Sequence, residues 1–217
     1  MLYEVSHSTY YSYEAAVTQC LNEVRITPRE MPRQRVRSTG ITVDPHPAFL
    51  HHRKDYFGND VSIFAVFDKH ERLTATARSV VEVLPLEPVV SSMSWESVRD
   101  ALQAQADEAC LEASEFIYHS PFVPAFPELQ KYASKTFEPG RPLLDAAKEL
   151  SHRINKEFLY DQKFTSIDSP LPDVLRKKRG VCQDFAHVMI GALRSLRLSA
   201  RYVSGYVRSG EIGRAHV

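Results

Sequence analysis

Cys182 is the residue best suited to chemistry, and it lies in the segment Gly180–Val188, which reads GVCQDFAHV. Apolar residues then recur at helical spacing and predict an amphipathic helix: Phe185, Val188, Met189, Ala192, Leu193 and Leu196. Cys182 stands where this helix begins, next to backbone N–H groups that have no intrahelical partner and favour a negative charge. A free thiol titrates near ~8.5, and thiols at helix starts titrate at roughly 3.5–7.5. The position therefore predicts a nucleophilic thiol.

Two flanking features support this interpretation, and each has a simpler alternative. Gly180 is free to take unusual dihedrals and leaves room in front of the sulfur. The basic run Arg176–Arg179 adds positive potential, although such a run is often only a solvated loop. Cysteine itself is among the most buried residue types, so a structural role for Cys182 stays open at this point.

The segment around Cys182 resembles a known family. The block GVCQDFAHVMIGALRSLRLSARYVSGY, residues 180–206, is similar to the core of bacterial transglutaminase-like proteins, which belong to the papain-like cysteine enzymes. Residues 158–160 and 172–175 resemble the segment before the family's nucleophile, and residues 55–59, DYFGN, resemble part of its preceding β-rich domain. The resemblance implies that Cys182 is the nucleophile of a Cys-His-Asp triad for acyl transfer or amide hydrolysis. The expected substrate is a protein or peptide amide, glutamine included, and we expect no cofactor.

Such a site also needs a histidine to pair with the sulfur and a third group to orient that histidine. In the family, both would come from strands that follow the one ending near Val207. His187 is a poor substitute, because five positions along a helix turn its side chain about 140° away from Cys182. His216 is the second-to-last residue of the sequence, where precise geometry is hard to maintain.

The last seven residues, 211–217, carry a separate expectation. Their sequence EIGRAHV can be encoded by GAG ATC GGA AGA GCA CAC GTC, which looks like a sequencing-adapter string. We therefore expect a non-native tail and a natural reading frame that continues past Ser209 or Gly210. On that basis this chain lacks the His and Asp of the triad and is expected to be nearly inactive. The alternative function is a non-catalytic protein-binding module that retains the fold.

Strand patterns fill the first part of the chain and helical patterns the rest. Alternating residues near the start and from Val61 onwards predict short strands, while Pro85 and Pro88 mark the change. Helical stripes cover residues 95–109, with Ser94 as N-cap, and residues 143–158, with Arg153 facing outward. A strand is expected from about Ser199 to Val207. The fold class is α+β: an N-terminal antiparallel β-sandwich (residues 1–88), then an incomplete papain-like, transglutaminase-like core (89–210).

Composition narrows the class of partner. Lys plus Arg number 27 and Asp plus Glu number 27, so charge gives no reason to expect nucleic acid or an anionic membrane. No run approaches the ~20 apolar residues of a membrane span, and the N-terminus lacks a signal-peptide pattern. Three widely spaced cysteines do not indicate a disulfide framework, so a reducing cytoplasm is the expected compartment. No metal site is expected, because the histidines at 46, 51, 52 and 70 lack ligand spacing.

Overall fold

The structure is a computed structural model that describes residues 1–85, 89–161 and 170–206. The chain divides into two compact units, Met1–Pro88 and Val89–Val217. The tail at residues 211–217, including His216, lies outside the described residues.

Antiparallel strands form the N-terminal unit. They are β1 (Leu2–Val17), β2 (Cys20–Val24), β3 (Gln34–Asp44), β4 (Phe49–Lys54), β5 (Asp60–Val66) and β6 (His70–Val83). One sheet has the order β1-β6-β3 and the other has the order β2-β5-β4. Both sheets are antiparallel throughout.

The two sheets of this unit share one apolar core. Phe64 and Val66 from β5 meet Leu73 and Ala75 from β6, and all four side chains are almost completely buried. Four partly buried residues from strands β1, β2 and β3 pack on them: Tyr13, Cys20, Val24 and Val43. Because side chains from both sheets fill one core, the predicted antiparallel β-sandwich is confirmed.

The turn between β4 and β5 is built by the DYFGN segment. The Asp55 carboxylate accepts hydrogen bonds from the backbone N–H groups of Phe57 (3.0 Å) and Asn59 (2.9 Å). Gly58 has φ +76°, a left-handed conformation that costs glycine little because it has no Cβ. Arg29 donates from Nη1 to the Phe57 carbonyl at 2.9 Å. The Asp55 carboxylate therefore fixes the shape of this turn.

Helices dominate the C-terminal unit. The described elements are α1 (Trp95–Ala104), α2 (Glu108–Ser114), a 3-10 turn (Glu115–Ile117), α3 (Pro127–Ala133), α4 (Leu143–Glu157), β7 (Leu159–Tyr160), α5 (Leu171–Lys177), β8 (Arg179–Gly180) and α6 (Cys182–Ser195). Ser94 caps α1 as predicted, since its side chain accepts the Ser97 N–H at 3.2 Å.

The single helical stripe predicted for residues 95–109 is wrong, because the chain breaks it into α1 and α2. Gln105 takes a left-handed conformation with φ 48° and ends α1. Asp107 then accepts the Cys110 N–H at 2.7 Å and starts α2. Aspartate favours a cap over a helix interior, because its short side chain competes for nearby backbone N–H groups.

Helix α6 lies against the core of this unit. Val188 and Ala192 are fully buried, as the apolar stripe predicts. They belong to a cluster that includes Leu129 of α3, Leu150 of α4 and Val174 of α5. This packing fixes the direction of α6 and therefore where its first residue points.

The prediction that Arg153 faces outward is wrong. Its side chain is only 16% exposed, and its guanidinium carbon lies 4.5 Å from the centre of the Tyr132 ring. Its Nη1 donates to the Tyr132 carbonyl (3.3 Å) and to Thr136 Oγ1. A long stem lets arginine cross an apolar surface and reach polar partners there.

The strand expected from Ser199 is also wrong for the described residues 199–206, which form no regular element. Ala200 donates its N–H to the Phe116 carbonyl (3.2 Å), and Ser199 Oγ donates to the Ala113 carbonyl (2.7 Å). A strand requires a neighbouring strand that exchanges backbone hydrogen bonds with it. No strand of the described part pairs with this segment.

The described residues contain neither a membrane-spanning helix nor a cluster of metal-ligating side chains. Their helices include none with the length and apolar character needed to cross a membrane. The same residues hold no group of three or more His, Cys, Asp or Glu side chains that could bind a metal ion.

Candidate active site

The Cys182 side chain is exposed at the first residue of α6. Val181 is the N-cap residue, and its carbonyl accepts the first helical hydrogen bond, from the Phe185 N–H at 3.1 Å. Valine has no side-chain acceptor, so it cannot bind the N–H groups that serine or aspartate would bind from this position. Within the described chain, the N–H groups of Cys182 and Gln183 have no hydrogen-bond partner. The thiol thus lies beside open donors at the positive end of a helix.

Asp184 fixes the backbone just before the thiol. Its Oδ2 accepts the Val181 N–H at 2.7 Å. The carboxylate lies directly over Gly180, where a Cβ would be 2.5 Å from Oδ2 and 3.0 Å from Cγ of Asp184. The space left by the missing side chain of Gly180 is therefore occupied by this carboxylate. The role of Asp184 was missed, and its only signal is an acidic residue at the third position of the helix.

A short parallel pairing leads into α6. Leu159 of β7 pairs with Arg179 of β8, and Tyr160 pairs with Gly180. The Leu159 N–H donates to the Lys178 carbonyl (2.9 Å), and the Asp161 N–H donates to the Gly180 carbonyl (2.8 Å). These bonds hold the last residues before Cys182 against the end of α4.

The basic run before the thiol is largely matched by carboxylates. Arg176 pairs with Asp173 at 2.7 Å, and Lys178 pairs with Glu157 at 2.5 Å. Arg179 pairs with Asp161, which follows strand β7, at 2.5 Å. The expected positive potential at Cys182 is therefore reduced, and the run forms the end of α5 and strand β8 rather than a loop.

Aromatic rings lie beside the start of α6. The His187 ring stacks on Phe122 with centroids 6.0 Å apart, and it lies 5.4 Å from the Tyr202 ring. Burial lowers the pKa of His187, against the opposing charge of Asp184. Burial raises the pKa of Tyr202, and the nearby Cys182 adds to that increase. Tyr202 is thus a neighbour of the thiol for which sequence reasoning proposed no role.

A groove of about 260 Å³ runs along the same side of α6 as Cys182. Ala186, Met189 and Leu193 line one side, at four, seven and eleven residues from Cys182. Tyr202 and Val203 line the other side. Of residues 116–126, Val123 and Phe126 pack in the core, and none lines this groove.

Comparison with known proteins covers both units. The model of the bacterial transglutaminase-like N-terminal region matches residues 3–82. The model of the transglutaminase-like superfamily core matches residues 130–217, which include Cys182 and all of α6. The chain belongs to the transglutaminase-like superfamily.

The chain is also similar in sequence to several mycobacterial proteins. Uncharacterised proteins of Mycobacterium tuberculosis and Mycobacterium bovis are each 36% identical over 211 residues, covering 94% of this chain and 65% of the relative. One from Mycobacterium leprae is 35% identical over 204 residues, covering 94% of this chain and 70% of the relative. The transglutaminase-like chain thus spans about two thirds of the length of these proteins.

The solved structure bears on the fold alone. It is described as a putative cysteine protease from Cytophaga hutchinsonii and has 15% sequence identity to this chain. The TM-score is 0.65, over 90% of this chain and 66% of the other. The transglutaminase-like fold predicted for the C-terminal unit, with its N-terminal β-domain, is therefore confirmed.

Proposed function

We propose that Cys182 is the nucleophile of a cysteine acyltransferase or amide hydrolase that acts on glutamine or peptide amides. The observation that carries the proposal is an exposed thiol at the first residue of α6, beside N–H donors that have no partner in the described chain. Membership of the transglutaminase-like superfamily supports it.

In the proposed reaction, the Cys182 thiolate adds to the amide carbonyl and forms a carbon–sulfur bond. The negative charge moves to the carbonyl oxygen, where the Cys182 N–H is placed to donate to it. Collapse of this intermediate breaks the carbon–nitrogen bond, and the amine leaves with a proton from a general acid. Water or a primary amine then attacks the thioester, releases the acid or a new amide, and returns the thiol.

Among the described residues, no histidine is hydrogen-bonded to the Cys182 thiol. These residues therefore supply no general acid at Cys182. His187 is held between Phe122 and Tyr202. We therefore expect this chain alone to be nearly inactive, since loss of a triad member leaves a residual acceleration of only ~10³–10⁴ over water. The histidine and aspartate of the triad are proposed to come from a natural reading frame that continues past Ser209 or Gly210.

Activity is tested on the protein expressed from the complete reading frame of the source DNA. The protein is incubated with a glutamine peptide, with and without a fluorescent primary amine. Released ammonia reports thioester formation, and dye incorporation separates amine transfer from hydrolysis. Cys182→Ala is expected to abolish both signals, while a Cys20→Ala/Cys110→Ala double variant keeps them. Full activity in Cys182→Ala would refute the assignment.

The nucleophile itself is tested on this chain by alkylation. Iodoacetamide labelling is followed at each cysteine by peptide mapping, in buffer and in denaturing urea. Cys182 is expected to react faster folded than unfolded, because its exposed side chain lies beside N–H donors that have no partner in the described chain. Cys20 and Cys110, which are half-buried, are expected to react more slowly when folded. If folding also slows Cys182, the chain is better described as a non-catalytic binding module.

A further inference from the structure

A second cavity lies at the opposite end of α6 from Cys182. It has a volume of about 230 Å³ and opens between residues 117–125 and the last turn of α6. Three residues that can carry positive charge line it, namely His119, Arg194 and Arg197, and no Asp or Glu is among its lining residues. The chain as a whole has a formal net charge of zero, so this concentration of cationic groups is local.

Arg194 is held in place by neutral acceptors only. Its Nε donates to the Ala200 carbonyl (3.0 Å) and its Nη1 donates to Ser120 Oγ (3.2 Å). No carboxylate of the described residues forms an ion pair with it. Burial also lowers its pKa, as expected for a guanidinium that has lost solvent without gaining an anion. A partly buried charge of this kind is normally compensated by an opposite charge.

Arg197 occupies a position at which glycine is the usual residue. The Leu198 N–H donates to the Leu193 carbonyl (3.1 Å), and the Arg197 N–H donates to the Arg194 carbonyl (2.9 Å). This is the hydrogen-bond pattern of a Schellman helix end, whose left-handed residue is most often glycine. Arg197 adopts it with φ 61°, at a steric cost that glycine avoids. Backbone strain of this kind is common at functional sites, which suggests a binding role for the Arg197 side chain.

We propose that this cavity binds a small oxyanion, a carboxylate or phosphate group, between Arg194 and Arg197. A guanidinium presents parallel N–H donors that match two oxygens of such a group. An anion there would supply the negative counter-charge that Arg194 lacks. It would also bind the guanidinium of Arg197, which would account for the strained backbone at that residue. The site is separate from Cys182, so it does not depend on the proposed acyl transfer.

Inorganic phosphate is the probe for this site. Thermal unfolding is followed by the fluorescence of Trp95, the only tryptophan of the chain and part of the same unit. Phosphate is titrated at constant ionic strength, with chloride as the replacement anion and acetate as a carboxylate arm. Binding to the folded state raises the midpoint in a saturable manner. A response to phosphate or acetate supports the site, and a response to neither overturns it.

Arg197→Gly is the decisive variant, because it removes the charge and relieves the positive-φ strain at once. It is expected to be at least as stable as the parent without ligand, yet to bind the oxyanion at least tenfold more weakly. Lys178→Gly is the matched control, since Lys178 also has a left-handed conformation, φ 50°, and lies outside the cavity. Unchanged affinity in Arg197→Gly, or equal weakening in Lys178→Gly, would overturn the proposal.

Discussion

The contact between Gly180 and Asp184 leads to a prediction that can be tested without any substrate. A methyl group at residue 180 would lie 2.5 Å from the Asp184 carboxylate oxygen. Gly180→Ala must therefore displace this carboxylate and break its hydrogen bond to the Val181 N–H. Asp184→Ala removes the same hydrogen bond directly, so the two changes should not add.

The expected magnitude follows from that shared bond. A hydrogen bond to a charged group contributes about 1.5–3 kcal/mol, and the lower end suits the half-buried Asp184. Each single variant should thus lose about 1.5 kcal/mol of unfolding free energy. With alanine at residue 184, only its Cβ, 3.0 Å away, still crowds a methyl group at Gly180. The second change then costs close to zero, since Gly→Ala also lowers the entropy of the unfolded chain. The coupling energy is about 1.5 kcal/mol.

The assay is urea unfolding of the four proteins of this double-mutant cycle, followed by Trp95 fluorescence, which reports on the C-terminal unit. Gly205→Ala is the control, because a Cβ there meets nothing within 4 Å. It should change stability by less than about 0.5 kcal/mol. If Gly180→Ala costs the same in both backgrounds, to within about 0.5 kcal/mol, the carboxylate does not occupy the space above Gly180 and the reasoning fails.

Three further predictions concern other contacts. Gly191→Ala should destabilise the C-terminal unit by about 1 kcal/mol in the same urea assay. The new methyl group would lie 2.8 Å from the buried Leu129 of α3, and this overpacking outweighs the gain in helix propensity. A net stabilisation would contradict the close packing of α6 on α3. Burial raises the pKa of Glu157, but Lys178 and then Arg153 outweigh it, so the pKa is lowered. The contribution of Glu157 to folding stability is present above its unfolded pKa and is lost as the pH falls through its folded pKa. Glu157→Gln should therefore flatten the acid side of a profile of unfolding free energy against pH. An unchanged profile would show that the ion pairs of Glu157 with Lys178 and Arg153 are not formed. Asp55→Ala removes the acceptor that shapes the β4–β5 turn. It should therefore lower the midpoint temperature of thermal unfolding when the loss of strand structure is followed by circular dichroism. An unchanged midpoint temperature would mean that the turn forms without this acceptor.

Periodic features of the sequence predicted the structure well, and features set by single side chains did not. The stripe of α6 and the Ser94 cap follow from local rules, so residue spacing was sufficient. The break at Gln105 escaped notice because apolar spacing continued through it, while Asp107 capped a new helix. The inward orientation of Arg153 could not be predicted, because its partners Tyr132 and Thr136 are distant in sequence. The residue pattern of a single helix contains no information about them.

The candidate site divides in the same way. The exposed thiol at the start of α6 could be predicted, since helix termini can be read from neighbouring residues. The carboxylate over Gly180 and the ring of Tyr202 near the thiol depend on three-dimensional contacts. Ion pairing of the basic run was missed because one partner, Glu157, lies 21 residues before Lys178.

Valine at the N-cap of α6 has a consequence for attempts to make this protein more robust. Serine or aspartate at residue 181 would improve the helix by about 1 kcal/mol, so a designer who ranks sequences by folding energy alone would choose one of them. The new side-chain oxygen would accept from the N–H of Gln183 or Asp184 and so place a competing acceptor next to the Cys182 N–H that is proposed to donate to the substrate carbonyl. If the proposed acyl transfer is correct, selection for a more stable helix and selection for activity therefore favour different residues at position 181.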